Sequence, residues 1–256
     1  MLTFLLTLTL ALFSALFPLF LWIIEWESTE VKIHRFILGM SVASSAAALL
    51  LTFSLDVPEV EAVGLVWLVL LIAVTLVYWK KNRASGGIIT IPSLAGVWFG
   101  YNLISYMVSP AVLSAVVMFL GGLIFSGSLF AMILGHWYLN VVNLPISLLR
   151  NATRLIFILL LVRLIWDVNS ILFQSVTYEG YSLSLTEFLG TMDGIFLWTA
   201  ILFGNVLPLV LTFLTLRTVA IHSTQSATGL LYVLVLSVAM GDLIYKYYAI
   251  QYGLLL

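Results

Sequence analysis

Residues 58–79 read PEVEAVGLVWLVLLIAVTLVYW, and after Glu61 no charge interrupts the segment up to Trp79. A helix that crosses about 30 Å of hydrocarbon needs roughly 20 mainly apolar residues. The start is marked as well. Asp56 and Glu59 have the spacing of a capping box, and Pro58 falls in the first turn, where a missing N–H costs nothing. A membrane-spanning helix is therefore predicted here. Seven further runs of the same kind lie at 2–24, 36–55, 88–108, 110–135, 148–172, 191–217 and 227–248. The prediction is an all-α, polytopic integral membrane protein: a bundle of about eight transmembrane helices forming a single transmembrane domain over 1–256.

Composition agrees with these runs. Of 256 residues, 63% are hydrophobic and only 8% charged, too few to coat a water-soluble domain. The chain has no cysteine, which excludes disulfides, thiolate metal sites and thiol nucleophiles. A formal net charge of −1 offers no basic surface for nucleic acid. The first run lacks a basic leader and an evident small-residue cleavage site, so it is read as a retained helix rather than a secretory signal.

Local signals refine the spans. Ser109 and Pro110 read as the N-cap and first residue of the fifth span. Ser184 and Glu187 form a second possible capping box, before Leu185, Phe188, Leu189 and Met192 on one helical face. A short interfacial helix leading into the seventh span is expected there, with residues 173–190 otherwise a non-cytoplasmic loop. In the second span Gly39, Ala43 and Ala47 recur at four-residue spacing beside Ser41 and Ser45, a pattern that lets helix backbones approach.

Basic residues concentrate in the odd connections: Lys32, Arg35, Lys80, Lys81, Arg83, Arg150, Arg154 and Arg217, against Lys246 on the even side. Under the positive-inside rule both termini face away from the cytoplasm, in a bacterial-type inner membrane.

Candidate functional residues fall in two groups. His136, Trp137 and Tyr138 end the fifth span, Arg150 and Arg154 begin the sixth on one helical stripe, and His222 follows the seventh. Imidazoles and arginines at one depth suit a quinone headgroup or, as a lesser alternative, haem b with its propionates on the arginines. The second group is intramembrane and polar: Asn102, Arg163, Asn205 and Asp242. Arg163 lies about 22 Å along its helix, and an arginine at such depth is retained for a partner or an anion. Asp167, one turn on, is its obvious partner, as Lys246 is for Asp242. Pro208 must disturb the ladder near Gly204 and Asn205, which predicts a kink.

Three functions fit these residues. The first is an integral membrane subunit of a redox or respiratory-type complex, with other membrane subunits as partners. The others are a structural or assembly subunit without a site of its own, and a transporter or channel for an anion or small solute. No zinc motif, P-loop or dinucleotide fingerprint is present. Epitope tags at the two ends test the orientation: both are predicted to be reached from the non-cytoplasmic face, and labelling of either end only from the cytoplasm contradicts it.

Overall fold

The computed structural model describes residues 1–26, 32–141 and 144–256. Among these, eight helices are long and apolar enough to cross a membrane: Leu2–Glu25, Ile33–Leu55, Pro58–Trp79, Gly86–Met107, Ala111–Asn140, Ile146–Phe173, Met192–Ala220 and Thr224–Tyr252. The protein is thus an all-α polytopic bundle. Its chain divides into two compact units, Met1–Tyr106 and Met107–Leu256.

Unit 1 contains α1 (Leu2–Leu16), α2 (Leu21–Trp26), α3 (Ile33–Thr52), α4 (Pro58–Trp79) and α5 (Gly86–Met107). Pro18 has no N–H for the α ladder, and a 3₁₀ turn at Phe17–Phe20 separates α1 from α2 within the first span. The Ser14 hydroxyl donates to the Ser41 carbonyl at 2.6 Å and ties α1 to α3. Ser41 and Ser45 lie on the buried stripe of α3. Of the neighbouring small-residue row, Ala43 is exposed, so the serines and Ala48 mark this packing face. Between α4 and α5, Trp67 stacks on Phe99 with centroids 5.2 Å apart. Glycine makes room for both rings: a Cβ on Gly64 would stand 2.8 Å from Phe99, and one on Gly96 2.6 Å from Trp67.

Two expected caps do not form. Val57 is the N-cap of α4, while Asp56 adopts a left-handed conformation (φ 55°) at the end of the preceding 3₁₀ turn. Asp56 therefore lies one residue before the N-cap, and α4 has no side-chain cap hydrogen bond. At the start of α6, Pro110 takes the N-cap position with extended backbone, and Ala111 is the first helical residue.

Unit 2 contains α6 (Ala111–Asn140), α7 (Ile146–Phe173), a hairpin of β1 (Ser175–Tyr178) and β2 (Tyr181–Ser184), α8 (Leu185–Phe188), α9 (Met192–Ile201), α10 (Leu207–Ala220) and α11 (Thr224–Tyr252). Helix α6 continues past the apolar run to Asn140, because nothing in GHWYLN breaks a helix; His136, Trp137 and Tyr138 thus sit on the helix itself. Lys246 likewise lies within α11, inside the eighth predicted span, and is buried.

Most of the expected loop at 173–190 is ordered secondary structure. Glu179 (φ 50°) and Gly180 (φ 85°) both have left-handed backbones, the pairing that a type I′ hairpin turn requires, and Val176 faces Leu183 across the strands. The Ser184 and Glu187 box forms in both directions. Hydrogen bonds from the Ser184 hydroxyl and main chain hold the Glu187 carboxyl below its ordinary value, because they favour its charged form. The short helix ends at Phe188, and Thr191 caps α9 separately through Gly194 N at 3.0 Å.

Where Pro208 predicts a kink, the structure has a π-helical turn over Leu202–Val206, in which the Leu207 N–H donates to the Leu202 carbonyl five residues back. Proline cannot continue that register. The next carbonyl, on Phe203, instead accepts from the Ser237 hydroxyl of α11 at 2.7 Å. This turn also brings two backbones together: a Cβ on Gly241 would lie 2.1 Å from the Gly204 Cα.

Replacing Gly241 with alanine should therefore lower stability by about 1–3 kcal/mol or more through overpacking. Gly229→Ala is the control, since nothing lies within 4 Å of its added methyl. Melting of the detergent-solubilised variants checks this, and equal midpoints for the two would contradict it.

Candidate functional site

Helices α6, α7, α11 and the π turn of unit 2 enclose a group of charged side chains. Arg163 of α7 is only 3% exposed, and its Nε donates to Asp167 Oδ1 at 3.2 Å. Its other nitrogens donate to the Val117 carbonyl at 3.4 Å and to the main-chain oxygen of Leu256. The guanidinium also stands 4.0 Å from the centre of the Tyr245 ring, a cation–π arrangement. The second carboxylate oxygen of Asp167 accepts from Asn205 Nδ2 at 2.7 Å and from the Tyr245 hydroxyl at 2.8 Å. Asp167 is thereby held by three donors from three helical segments.

A second pair adjoins the first. Asp242 and Lys246, four residues apart on α11, form an ion pair, with 6% and 2% of their surfaces exposed. Gly121 of α6 makes this possible: a Cβ there would stand 2.4 Å from Asp242 Oδ1 and 3.4 Å from Arg163 Nη1. Arg163, Asp242 and Tyr245 together line two small voids of about 10 Å³ each. That volume suits one water and no organic solute. The amide oxygen of Asn205 is buried without a protein partner.

The end of α11 closes the group. Gly253 (φ 67°) reverses the chain in a left-handed conformation, and residues 254–256 are buried against α7. The Leu255 carbonyl accepts from Trp166 Nε1 at 2.8 Å and from Ser170 and Gln174, each at 3.0 Å.

Of the intramembrane candidates, Arg163, Asn205 and Asp242 thus belong to one neighbourhood, joined by Asp167, Tyr245 and Lys246. Asn102 belongs to unit 1, where its amide donates to the Trp98 carbonyl of its own helix at 2.7 Å. The aromatic and basic candidates are more exposed. His136 Nδ1 lies 3.5 Å from the Tyr232 hydroxyl of α11, and the Tyr138 hydroxyl donates to the Pro145 carbonyl. Trp137 and Arg150 are half-buried, while Arg154 and His222 are exposed. His222 has a left-handed backbone (φ 60°), and its N–H donates to the Val219 carbonyl. No group of three metal-ligating side chains occurs among the described residues.

Unit 1 holds a larger cavity, of about 440 Å³, between α2, α3, the end of α4 and the 81–85 connection. Its mark in the sequence is the run of basic residues at Lys80, Lys81 and Arg83, which by itself signals only the orientation of the chain.

Comparison of the chain with protein-family models, with characterised proteins and with solved structures gives no match.

Arg163→Met leaves Asp167 buried without its cation and should cost about 3–5 kcal/mol. Removing both charges, as in Arg163→Met with Asp167→Leu, should cost less than the single change. Unfolding in detergent measures both, and a double variant as unstable as the sum of its parts would refute the coupling.

Proposed function

We propose that this chain is a membrane protein that passes protons through unit 2, a specific form of the transporter reading. One observation carries the proposal: Arg163, Asp167, Asp242 and Lys246 lie together in the interior of a lipid-spanning helical unit. Ionisable residues inside membrane helices mark ion pathways and proton relays by default, and π turns recur at functional positions. The sizes of the voids select the cargo. Each has about 10 Å³, enough for a water that relays a proton and too little for an anion of organic size.

The residues supply a route in which protons balance. A proton arriving on Asp242 neutralises its carboxylate and weakens its hold on Lys246. Through a water in the shared void it passes to the Tyr245 oxygen, while the hydroxyl proton of Tyr245 moves to Asp167 along their 2.8 Å bond. Release from Asp167 restores the starting charges. Arg163 stays protonated throughout and keeps the emptied carboxylates compensated.

A second reading, the membrane subunit of a redox complex, is favoured by one contact. His136 and Tyr232 place an imidazole and a phenol 3.5 Å apart at the ends of α6 and α11, beside Trp137, a set that suits a quinone carbonyl. On either reading the protein sits in a bacterial-type inner membrane with both termini non-cytoplasmic, as the basic-residue count favours.

Proteoliposomes with an entrapped pH dye and an imposed potassium diffusion potential test the proposal. The parent chain should acidify or alkalinise the lumen according to the sign of the potential, and Asp242→Asn should slow this by about tenfold or more. Equal rates for parent, variant and protein-free vesicles would leave the four charges as interhelical ties and return the chain to the structural-subunit class.

A further inference from the structure

We propose that the arginine-bearing end of unit 2 holds an anionic phospholipid, its phosphate at Arg150, Arg154 and Arg217 and its acyl chains along the outer faces of α7 and α10. The packing of the two helices brings these arginines together. Asn205 donates to Asp167, which sets the π turn and that part of α7 at one level. Helices α7 and α10 pack against each other and belong to consecutive spans, so they run in opposite directions. From the shared level, Arg154 lies about 20 Å back along α7 and Arg217 about 18 Å onward along α10, at 1.5 Å per residue. Both therefore stand at the same end and at nearly the same depth. Arg150 follows one helical turn beyond Arg154 on the same stripe.

No carboxylate of the unit answers these charges. Asp and Glu are absent from residues 107–166 and 194–241, the stretches that hold α6, the first part of α7, α10, the first part of α11 and the connections between them at this end. Asp167 and Asp242 are engaged by Arg163 and Lys246, while Glu179, Glu187 and Asp193 belong to the hairpin, α8 and the start of α9. Below the arginines both helices are apolar on the outside. Ile158, Leu161 and Ile165 continue the Arg154 stripe of α7, and Val210 and Phe213 precede Arg217 on α10, all of them exposed. The Arg217 guanidinium lies 5.1 Å from the centre of the Phe213 ring. It is thus folded back along its helix towards the apolar surface, whereas a snorkelling arginine extends its head into water. A guanidinium held at that boundary stands where a phosphate joins its acyl chains. Phosphate offers it paired acceptors, and a basic surface between membrane helices suits an anionic headgroup. A zwitterionic lipid brings its own cation, which three arginines repel.

The full chain in phosphatidylcholine vesicles tests this by electron spin resonance of spin-labelled lipids, in which lipid held at the protein gives a motionally restricted signal. Labelled phosphatidylglycerol should be enriched at the protein over labelled phosphatidylcholine by about tenfold or more. Arg154→Gln and Arg217→Gln should each lower that preference by about fivefold, and the two together should abolish it. Lys80→Gln in unit 1, also an exposed cation, should leave it unchanged. Inorganic phosphate should displace no more labelled lipid than chloride at the same ionic strength. Specific displacement by phosphate would assign the arginines to the free ion and overturn the lipid assignment. Equal enrichment of both lipids by the parent chain, an undiminished preference in the double variant, or an equal loss in Lys80→Gln would overturn it as well.

Discussion

The contact on which unit 2 depends is that between Arg163 and Asp167. A lone guanidinium inside a bilayer is costly, and so is a lone carboxylate. Placed one helical turn apart they compensate each other, yet a buried ion pair still needs its remaining donors and acceptors filled. The rest of the unit meets that demand. Asn205 and Tyr245 donate to the other oxygen of Asp167, while the main-chain oxygens of Val117 and Leu256 accept from Arg163. Lys246 and Asp242 add one charge of each sign, so the four ionised side chains carry no net charge.

Several backbone features follow from the same constraint. Asn205 reaches Asp167 from the π turn, which is the local answer to a proline that cannot donate. Gly204 and Gly241 let the turn and α11 touch, bringing α11 close enough for Tyr245 to reach both Arg163 and Asp167. Gly121 leaves space for Asp242 beside Arg163. Helix packing in lipid lacks a hydrophobic drive of its own, so small residues and polar ties must carry it. Here they also position the chemistry.

Much of this architecture was legible in the sequence. Apolar run length gives the eight spans, because the bilayer sets a fixed length for them. The i,i+4 spacings give both ion pairs, and Pro208 gives the break in the seventh span. The Ser184 and Glu187 cap was readable for the same reason: it is a local pattern with a local cause. What could not be read is convergence. Asp167 and Asp242 belong to different helices, and each had a satisfactory partner within its own turn, so nothing in the sequence said that the pairs meet. Lys246 reads in the sequence as the i,i+4 partner of Asp242 within the eighth span, but nothing in the hydropathy said that this pair is buried. The hairpin escaped notice because Glu179-Gly180 is a weaker turn signal than asparagine or aspartate before glycine, although the left-handed pair it forms is the same. The Asp56 cap failed for the opposite reason: the spacing was right, but the helix begins one residue later, with Val57 at the N-cap and Asp56 in the left-handed turn before it.

The central claim is that a carboxylate in this neutral group exchanges a proton inside the membrane. Infrared difference spectroscopy of the full chain in lipid, recorded across a pH titration and again in heavy water, tests it most directly. The account predicts that a buried protonated-carboxyl band grows as pH falls, shifts on deuteration and disappears in Asp242→Asn. A spectrum with no such band at any pH at which the protein stays folded, or one unchanged in that variant, would contradict it.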